Sequence, residues 1–382
     1  MRLGIDASNI RDGGGITHLV QLLHAADPTA FGFEKVIVWA ARATLSRLPD
    51  RPWLDKRHEQ ELEANYLQRA WWQYHRLGSL ARAAKCDLLF VPGGVFATNF
   101  RPVVTMSRNM LPFQWRELLR YGISMTTLRL MLLRWTQRRS FRRATGVVFL
   151  NDYARTAVGA VTGPLPGASR VIPHGLEGRF FRHEHIHRPI SAFAEARPFR
   201  VLYVSIVDVY KHQWHVAEAV AQLRGEGLPV SLTLVGPAYP PALRRLESVL
   251  KRLDPCRAYL HYLGSVAHES LPDQYASADL CVFASSCENM PNILLEGMAS
   301  GVPLACSNRG PMPEVLGAGG VYFDPESPAA IASAIRELIG SPELRHNNAR
   351  AASERARQFA WTRCAVETFG FLAELSREWV RT

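Results

Sequence analysis

Two glutamates, Glu288 and Glu296, stand eight positions apart in the run ASSCENMPNILLEGMASGVP, residues 284–303. A short apolar strand at 280–284 leads into the run, Pro291 can open a helix, and Gly301 with Pro303 closes it. Carboxylates about two helical turns apart are too distant to share a proton, so they form no acid–base dyad. They suit opposite ends of an extended ligand. Between them the helix start at Asn289, Met290, Pro291 and Asn292 offers free amides and a positive dipole end to a phosphate. The plainer alternative makes Glu288 a partner of the helix dipole and Glu296 a surface residue.

A second candidate is the glycine run Gly13, Gly14 and Gly15, which follows a strand at 2–6 and precedes the helix-periodic Ile16, Leu19, Val20 and Leu23. Such a turn lets backbone amides approach a phosphate closely, or it is simply a tight turn that needs positive φ. It is neither a P-loop nor a GxGxxG fingerprint. Lys211 is one of five lysines in a chain with 40 arginines, and a compact ammonium just after a strand suits a diphosphate as a point charge. The cluster His183, Glu184, His185 and His187 lacks the spacing of a helical HExxH and has no partner cluster, so no metal site is expected there.

These residues need elements to hold them. At 382 residues, 47% hydrophobic and 21% charged, the chain is too long for one ordinary domain and too apolar for disorder. Short β-branched or aliphatic runs alternate with helical patterns through both halves, the signature of parallel sheets flanked by helices. The first half offers strands at 2–6, 35–39, 87–91, 102–106, 146–150 and 168–172; the second, at 199–204, 230–235, 258–263, 280–284, 303–307 and 321–323. The expected architecture is α/β, with two doubly wound Rossmann-like domains facing a central cleft. The boundaries fall at 1–178, a linker at 179–198, a second domain at 199–360, and a last amphipathic helix at 361–382 crossing back to the first domain.

Apolar stretches stop short of a membrane span, the N-terminus reads as a strand rather than a signal peptide, and the six cysteines are scattered without a CxxC pair. A reducing cytoplasm is the expected compartment. The net charge of +11 is uneven: residues 1–190 carry 27 Lys and Arg against 14 Asp and Glu, and 191–382 carry 18 against 20. Residues 101–150 alone hold ten arginines and one acid, Glu117. Within 115–143, Leu128, Met131, Leu132 and Trp135 follow helical spacing among arginines. Either the basic face lies on anionic lipid with Trp and Leu in the interface, or the stripe is core and the arginines are merely solvated. No nucleic-acid signature accompanies the arginines, so a nucleic-acid partner is not expected.

The stretch from Glu288 to Pro303 resembles the E-x-x-P-x-x-x-x-E-A-M-A-x-G-x-P pattern of the retaining glycosyltransferases of family four, with Gly297 for the usual alanine. Other landmarks of that family fall in order: Gly13 to Gly15, Pro173-His174-Gly175, Lys211, Val235-Gly236, and Gly310 to Glu314. The resemblance implies a GT-B fold, a nucleotide-diphosphate sugar donor, retention of anomeric configuration, and neither metal nor other cofactor. It implies that Glu288 contacts the donor sugar and that Glu296 holds the nucleotide ribose. Asn289 to Asn292, with Gly14 and Gly15 across the cleft, would bind the diphosphate, and Lys211 would neutralise it.

Two landmarks differ. Ile206 and Val207 stand where the family often has an arginine, leaving Arg309 and Arg108 as candidates for the second cation. The residues after the strand at 102–106 are Ser107, Arg108 and Asn109 rather than a histidine, so Asn109 is the candidate for that sugar contact and, with Arg108, for the acceptor side. The reading is a hexosyltransferase of cell-surface polysaccharide or lipopolysaccharide synthesis, acting on a glycan or polyprenyl-linked acceptor. It is peripheral on the cytoplasmic face of the inner membrane through residues 115–143. The alternative is a catalytically silent GT-B scaffold subunit, and a guanine donor with a mannose-like sugar is the first donor to test.

Overall fold

A computed structural model describes residues 1–11, 13–181 and 185–381. Asp12, and Arg182, His183 and Glu184 with the proposed absence of a metal cluster there, lie outside the described residues. The chain divides into two compact units. The first comprises residues 1–115, 123–175 and 359–382; the second comprises 116–122 and 176–358.

The first unit is built on seven parallel strands: β1 (Arg2–Asp6), β2 (Lys35–Trp39), β3 (Leu54–Arg57), β4 (Leu88–Val91), β5 (Val103–Met106), β6 (Gly146–Phe149) and β7 (Ala168–Val171). Their order is β3-β2-β1-β4-β5-β6-β7, so the winding reverses between β1 and β4. The central strands are apolar and fully buried, as expected for a sheet covered on both faces. β3 escaped the sequence reading. It is a half-buried edge strand of sequence Leu-Asp-Lys-Arg, whose charges give it no apolar signature.

The second unit holds six parallel strands: β8 (Phe199–Val204), β9 (Val230–Val235), β10 (Leu260–Tyr262), β11 (Leu280–Phe283), β12 (Leu304–Ser307) and β13 (Val321–Phe323). Their order is β10-β9-β8-β11-β12-β13, and here the reversal lies between β8 and β11. Gly236, φ +141°, ends β9; a Cβ there would lie 2.2 Å from the Ser205 carbonyl oxygen, so only glycine lets these two strand ends close up.

Two segments cross between the halves of the sequence. The Trp361–Arg381 helix packs in the first unit, burying Ala365, Phe369, Leu372 and Leu375, with Phe369 edge-on to Phe33. Its first turn sits on Gly175, where a Cβ would lie 2.3 Å from the Trp361 nitrogen. That contact accounts for the glycine of Pro173-His174-Gly175. Conversely, residues 116–122 belong to the second unit, as described below. Of the stretch 179–198, expected as a linker, the described residues group with the second unit, with Phe180 buried against Tyr275 and Phe193 packed on Phe199. Among the described residues no helix is long and apolar enough to cross a membrane.

Candidate active site

In a doubly wound sheet, ligands bind beyond the carboxyl ends of the strands that flank the reversal. In the second unit those strands are β8 and β11, and Lys211 follows the first while Glu288 follows the second. The two side chains form an ion pair, with side-chain exposures of 5% and 14%. Lys211 also lies over the rings of Tyr210 and Phe283, and the Tyr203 hydroxyl donates to its carbonyl at 2.8 Å. A buried cation is thus held at one point by a carboxylate and aromatic faces, in the low-dielectric setting where it acts most strongly on a new anion.

The residue after Lys211 shapes the turn. His212 takes a left-handed conformation, φ 53°, and caps the Gln213–Gly225 helix. Its Nε2 meets the Ser286 hydroxyl at 3.0 Å, and that hydroxyl donates to a Glu117 carboxylate oxygen at 2.6 Å. Burial, then the nearby Arg120, pushes the His212 imidazole down to about 3, so it is neutral. Glu117 in turn pairs with Arg120 at 2.8 Å, Arg120 reaches Glu326 at 2.9 Å, and the Tyr121 hydroxyl donates to Asp208 at 3.0 Å. Residues 116–122 therefore form a strap over the loops after β8 and β11. Sequence reading missed it because Glu117 and Ser286 lie far apart in the chain and share no motif.

Glu296 sits on the Asn292–Ala299 helix, 6% exposed. One carboxylate oxygen accepts from the Tyr275 hydroxyl at 3.3 Å, and the other lies 3.5 Å from His268 Nε2. The hydrogen bond with Glu296 raises the His268 pKa, and Arg179 holds the opposite ring nitrogen. A buried carboxylate fixed in this way is ready to accept two hydroxyls at once. Asn292 begins the same helix with Pro291 at its cap, and its buried Oδ1 has no hydrogen bond among the described residues; Asn289 and Met290 are buried in the preceding turn. Arg309, by contrast, is engaged by Asp324 at 3.0 Å and is not a free cation.

The first unit gathers a separate cluster at the end of β1 and β5. Gly14 and Gly15 open the Gly14–Ala25 helix, and the Arg108 guanidinium lies against Gly15, where a Cβ would be 2.8 Å from Nη1. Among the described residues Arg108 forms no ion pair, its Nε is buried without a partner, and burial lowers its pKa to about 10. His18 on that helix stacks obliquely on His174 at 4.6 Å, both are buried, and burial holds both neutral. Both His18 ring nitrogens and His174 Nδ1 lack partners among the described residues. An unpaired guanidinium beside a helix start, ringed by neutral imidazoles, is an arrangement suited to an anion. Asn109 uses its Oδ1 to accept the Leu111 amide at 3.0 Å. Among the described residues no three His, Cys, Asp or Glu side chains converge as metal ligands.

Two parallel sheets, each with one reversal of winding, are an architecture that comparison with known structures identifies. The chain superposes on the crystal structure of Anabaena HepE in complex with UDP with a TM-score of 0.67 over 98% of this chain and 99% of that one, at 19% identity. This is the GT-B fold. Residues 198–341 match the family model described as glycosyl transferases group 1. Over 110 residues, 29% of each chain, the sequence is 36% identical to the O-antigen chain mannosyltransferase B of Escherichia coli. Over 184 residues, 47% of this chain and 46% of the relative, it is 28% identical to a GDP-mannose-dependent alpha-(1-6)-phosphatidylinositol dimannoside mannosyltransferase of Mycobacterium tuberculosis. The chain thus spans less than half the length of these curated relatives. The match to the group 1 glycosyl transferases lies within the second unit.

Proposed function

We propose that the chain is a retaining hexosyltransferase whose second unit takes a nucleotide-diphosphate sugar and whose first unit takes a glycan or polyprenyl-linked acceptor. The observation that carries the reading is the buried Lys211–Glu288 pair at the reversal between β8 and β11, inside the region that matches the family. In this reading Glu288 accepts hydrogen bonds from the sugar hydroxyls and Lys211 neutralises the departing diphosphate. Asn289, Met290, Pro291 and Asn292 bring the helix start to the phosphates, and Glu296 holds the ribose. The anomeric C–O bond to the diphosphate breaks, the acceptor oxygen bonds to the same face, and its proton passes to the diphosphate. Arg108 with Gly14 and Gly15 supplies an anion site in the first unit. No metal takes part, and a mannose-type sugar on a guanine nucleotide is the first donor to try, since two relatives are named mannosyltransferases.

The test is donor hydrolysis without acceptor, in EDTA, with GDP-α-mannose and UDP-α-glucose, read by NMR before the free sugar mutarotates. The expected result is slow release of the α-anomer from one donor. Release of the β-anomer contradicts retention. Turnover of neither favours the silent-scaffold reading, which the Ile206 and Val207 departure keeps open against the intact Glu288, Glu296 and Lys211.

The membrane step belongs to the same proposal. The Met125–Arg143 helix buries Leu130 and Phe141, whereas Leu128, Met131, Leu132 and Trp135 are 59%, 47%, 55% and 60% exposed. The apolar stripe is therefore not core. It lies among exposed Arg129, Arg138 and Arg139, the combination that binds an anionic membrane surface from one side. Such docking would place the protein peripherally on the cytoplasmic face of the inner membrane. Flotation should show binding to vesicles containing phosphatidylglycerol, little to phosphatidylcholine alone, and about tenfold less for a Leu132→Glu, Trp135→Glu variant. Equal binding to both vesicles, or to neither, removes the membrane step.

A further inference from the structure

A second exposed apolar face lies in the first unit, and its surroundings differ from those of the basic stripe. Residues 66–83 form one continuous helical run, interrupted by a π-turn over Gln73–Leu77. Its inner face is fixed: Trp72 and Leu77 are fully buried, and Gln73 donates to Asp6 at 2.5 Å and to the Ser8 hydroxyl at 3.1 Å. Its outer face carries Leu67, Trp71 and Tyr74, which are 75%, 53% and 63% exposed. His75 joins the two aromatics, its ring centroid 4.8 Å from Trp71 and 4.7 Å from Tyr74. Neighbouring large aromatic side chains held in contact with water on one helix face are unusual enough to call for a partner.

The chemistry beside them says which. Trp71 borders an open hollow of about 900 Å³ with Glu59, Glu61, Glu63, Gln68 and Arg76. Arg76 is oriented by Glu61 at 3.0 Å and Glu59 at 3.7 Å. Residues 58–77 carry three glutamates and two arginines, so no basic excess draws this face to anionic lipid. Aromatic faces next to carboxylates, an amide and a guanidinium match a polyhydroxylated ring instead. Its C–H faces lie on indole and phenol, and its hydroxyls find both donors and acceptors at the rim.

The placement ties this face to the anion cluster. Besides Gln73, Arg69 donates to Asn9 at 3.2 Å and Arg11 to the Ala64 carbonyl at 3.2 Å. Three separate links thus fasten the 58–77 segment to the loop after β1, the loop that leads to Gly14 and Gly15. A π-turn, a feature common at functional sites, begins at Gln73, the residue that reaches Asp6.

We propose that Trp71, Tyr74 and His75, with the hollow edged by Glu59, Glu61 and Gln68, form a glycan-binding platform for sugar units of the acceptor beyond the reacting one. The assignment rests on the reading of the chain as a glycosyltransferase with a glycan acceptor. It explains why a transferase would keep three rings in water on a segment fastened to the loop after β1.

The probes are α-mannotetraose and maltotetraose, titrated calorimetrically into the whole protein and into Trp71→Ala and Tyr74→Ala variants. Both positions are exposed, so the fold should survive. Binding of at least one tetrasaccharide, weakened tenfold or more in each variant with donor hydrolysis unchanged, is the expected result. Equal affinity in wild type and variants, or no binding of either sugar to protein that still binds a nucleoside diphosphate, overturns the platform and leaves the donor reading standing. Tetrasaccharide binding lost in the variants, in protein that binds no nucleoside diphosphate, keeps the platform and removes the transferase reading. Loss of vesicle flotation in both variants, with sugar affinity intact, assigns the face to a membrane and overturns the proposal.

Discussion

Glu288→Gln is expected to lower turnover by roughly two to three orders of magnitude while leaving donor affinity within a few-fold of wild type. The substitution keeps shape and removes charge. In the proposed function the carboxylate accepts hydrogen bonds from the sugar hydroxyls, and hydrogen bonds that strengthen as the anomeric C–O bond breaks place the loss on kcat more than on donor KM. A stability cost comes with it. Lys211 is almost entirely buried and Glu288 is its ion-pair partner, so the variant leaves a cation uncompensated, at about 3 kcal/mol for a pair of this burial. Circular dichroism and a melting curve separate the two effects: a folded, less stable protein with unchanged kcat would remove Glu288 from the chemistry and leave it a structural partner of Lys211.

Arg108→Met is expected to move activity and stability in opposite directions. A guanidinium that lies against Gly15, with its Nε buried and no ion pair among the described residues, is costly to the folded protein. Its pKa, pushed down to about 10 by burial, reports that cost: the folded state disfavours the charged form. Removing the charge at similar volume should leave Tm unchanged or raise it. If the anion site serves a phosphate of donor or acceptor, kcat/KM should fall by roughly tenfold to a hundredfold. Such opposition is the mark of a residue kept for function at the expense of stability. A large fall in Tm with normal kcat/KM would instead make Arg108 structural.

How far the sequence foretold these arrangements depended on range. The positions of Glu288, Lys211 and the helix start between Pro291 and Asn292 were legible because each lies in the loop that follows a strand whose apolar run is unmistakable. β3 was not legible, since an edge strand with Asp55, Lys56 and Arg57 carries no apolar pattern. Contacts across long stretches of chain were equally hidden: nothing local links Glu117 to Ser286, Tyr275 and His268 to Glu296, or Asp324 to Arg309. The stripe of Leu128, Met131, Leu132 and Trp135 shows a further limit. Periodicity identifies a face but not what covers it, and here Leu130 and Phe141 from another face took the core. The exchange of 116–122 and 359–382 between the units was half legible: the last helix was expected to cross back, the strap was not.

A donor site in the second unit is tested most directly by nucleotide-induced stabilisation. Ligands that bind only the folded state must raise its melting temperature. Among UDP, GDP, ADP, TDP and CMP at millimolar concentration, one diphosphate should raise Tm by roughly 2–5 °C, equally with and without EDTA. The shift should disappear in Glu296→Ala, measured against that variant's own baseline. A shift that survives in Glu296→Ala or that requires a metal, or no shift with any of the nucleotides, would contradict a metal-free donor site at Glu296.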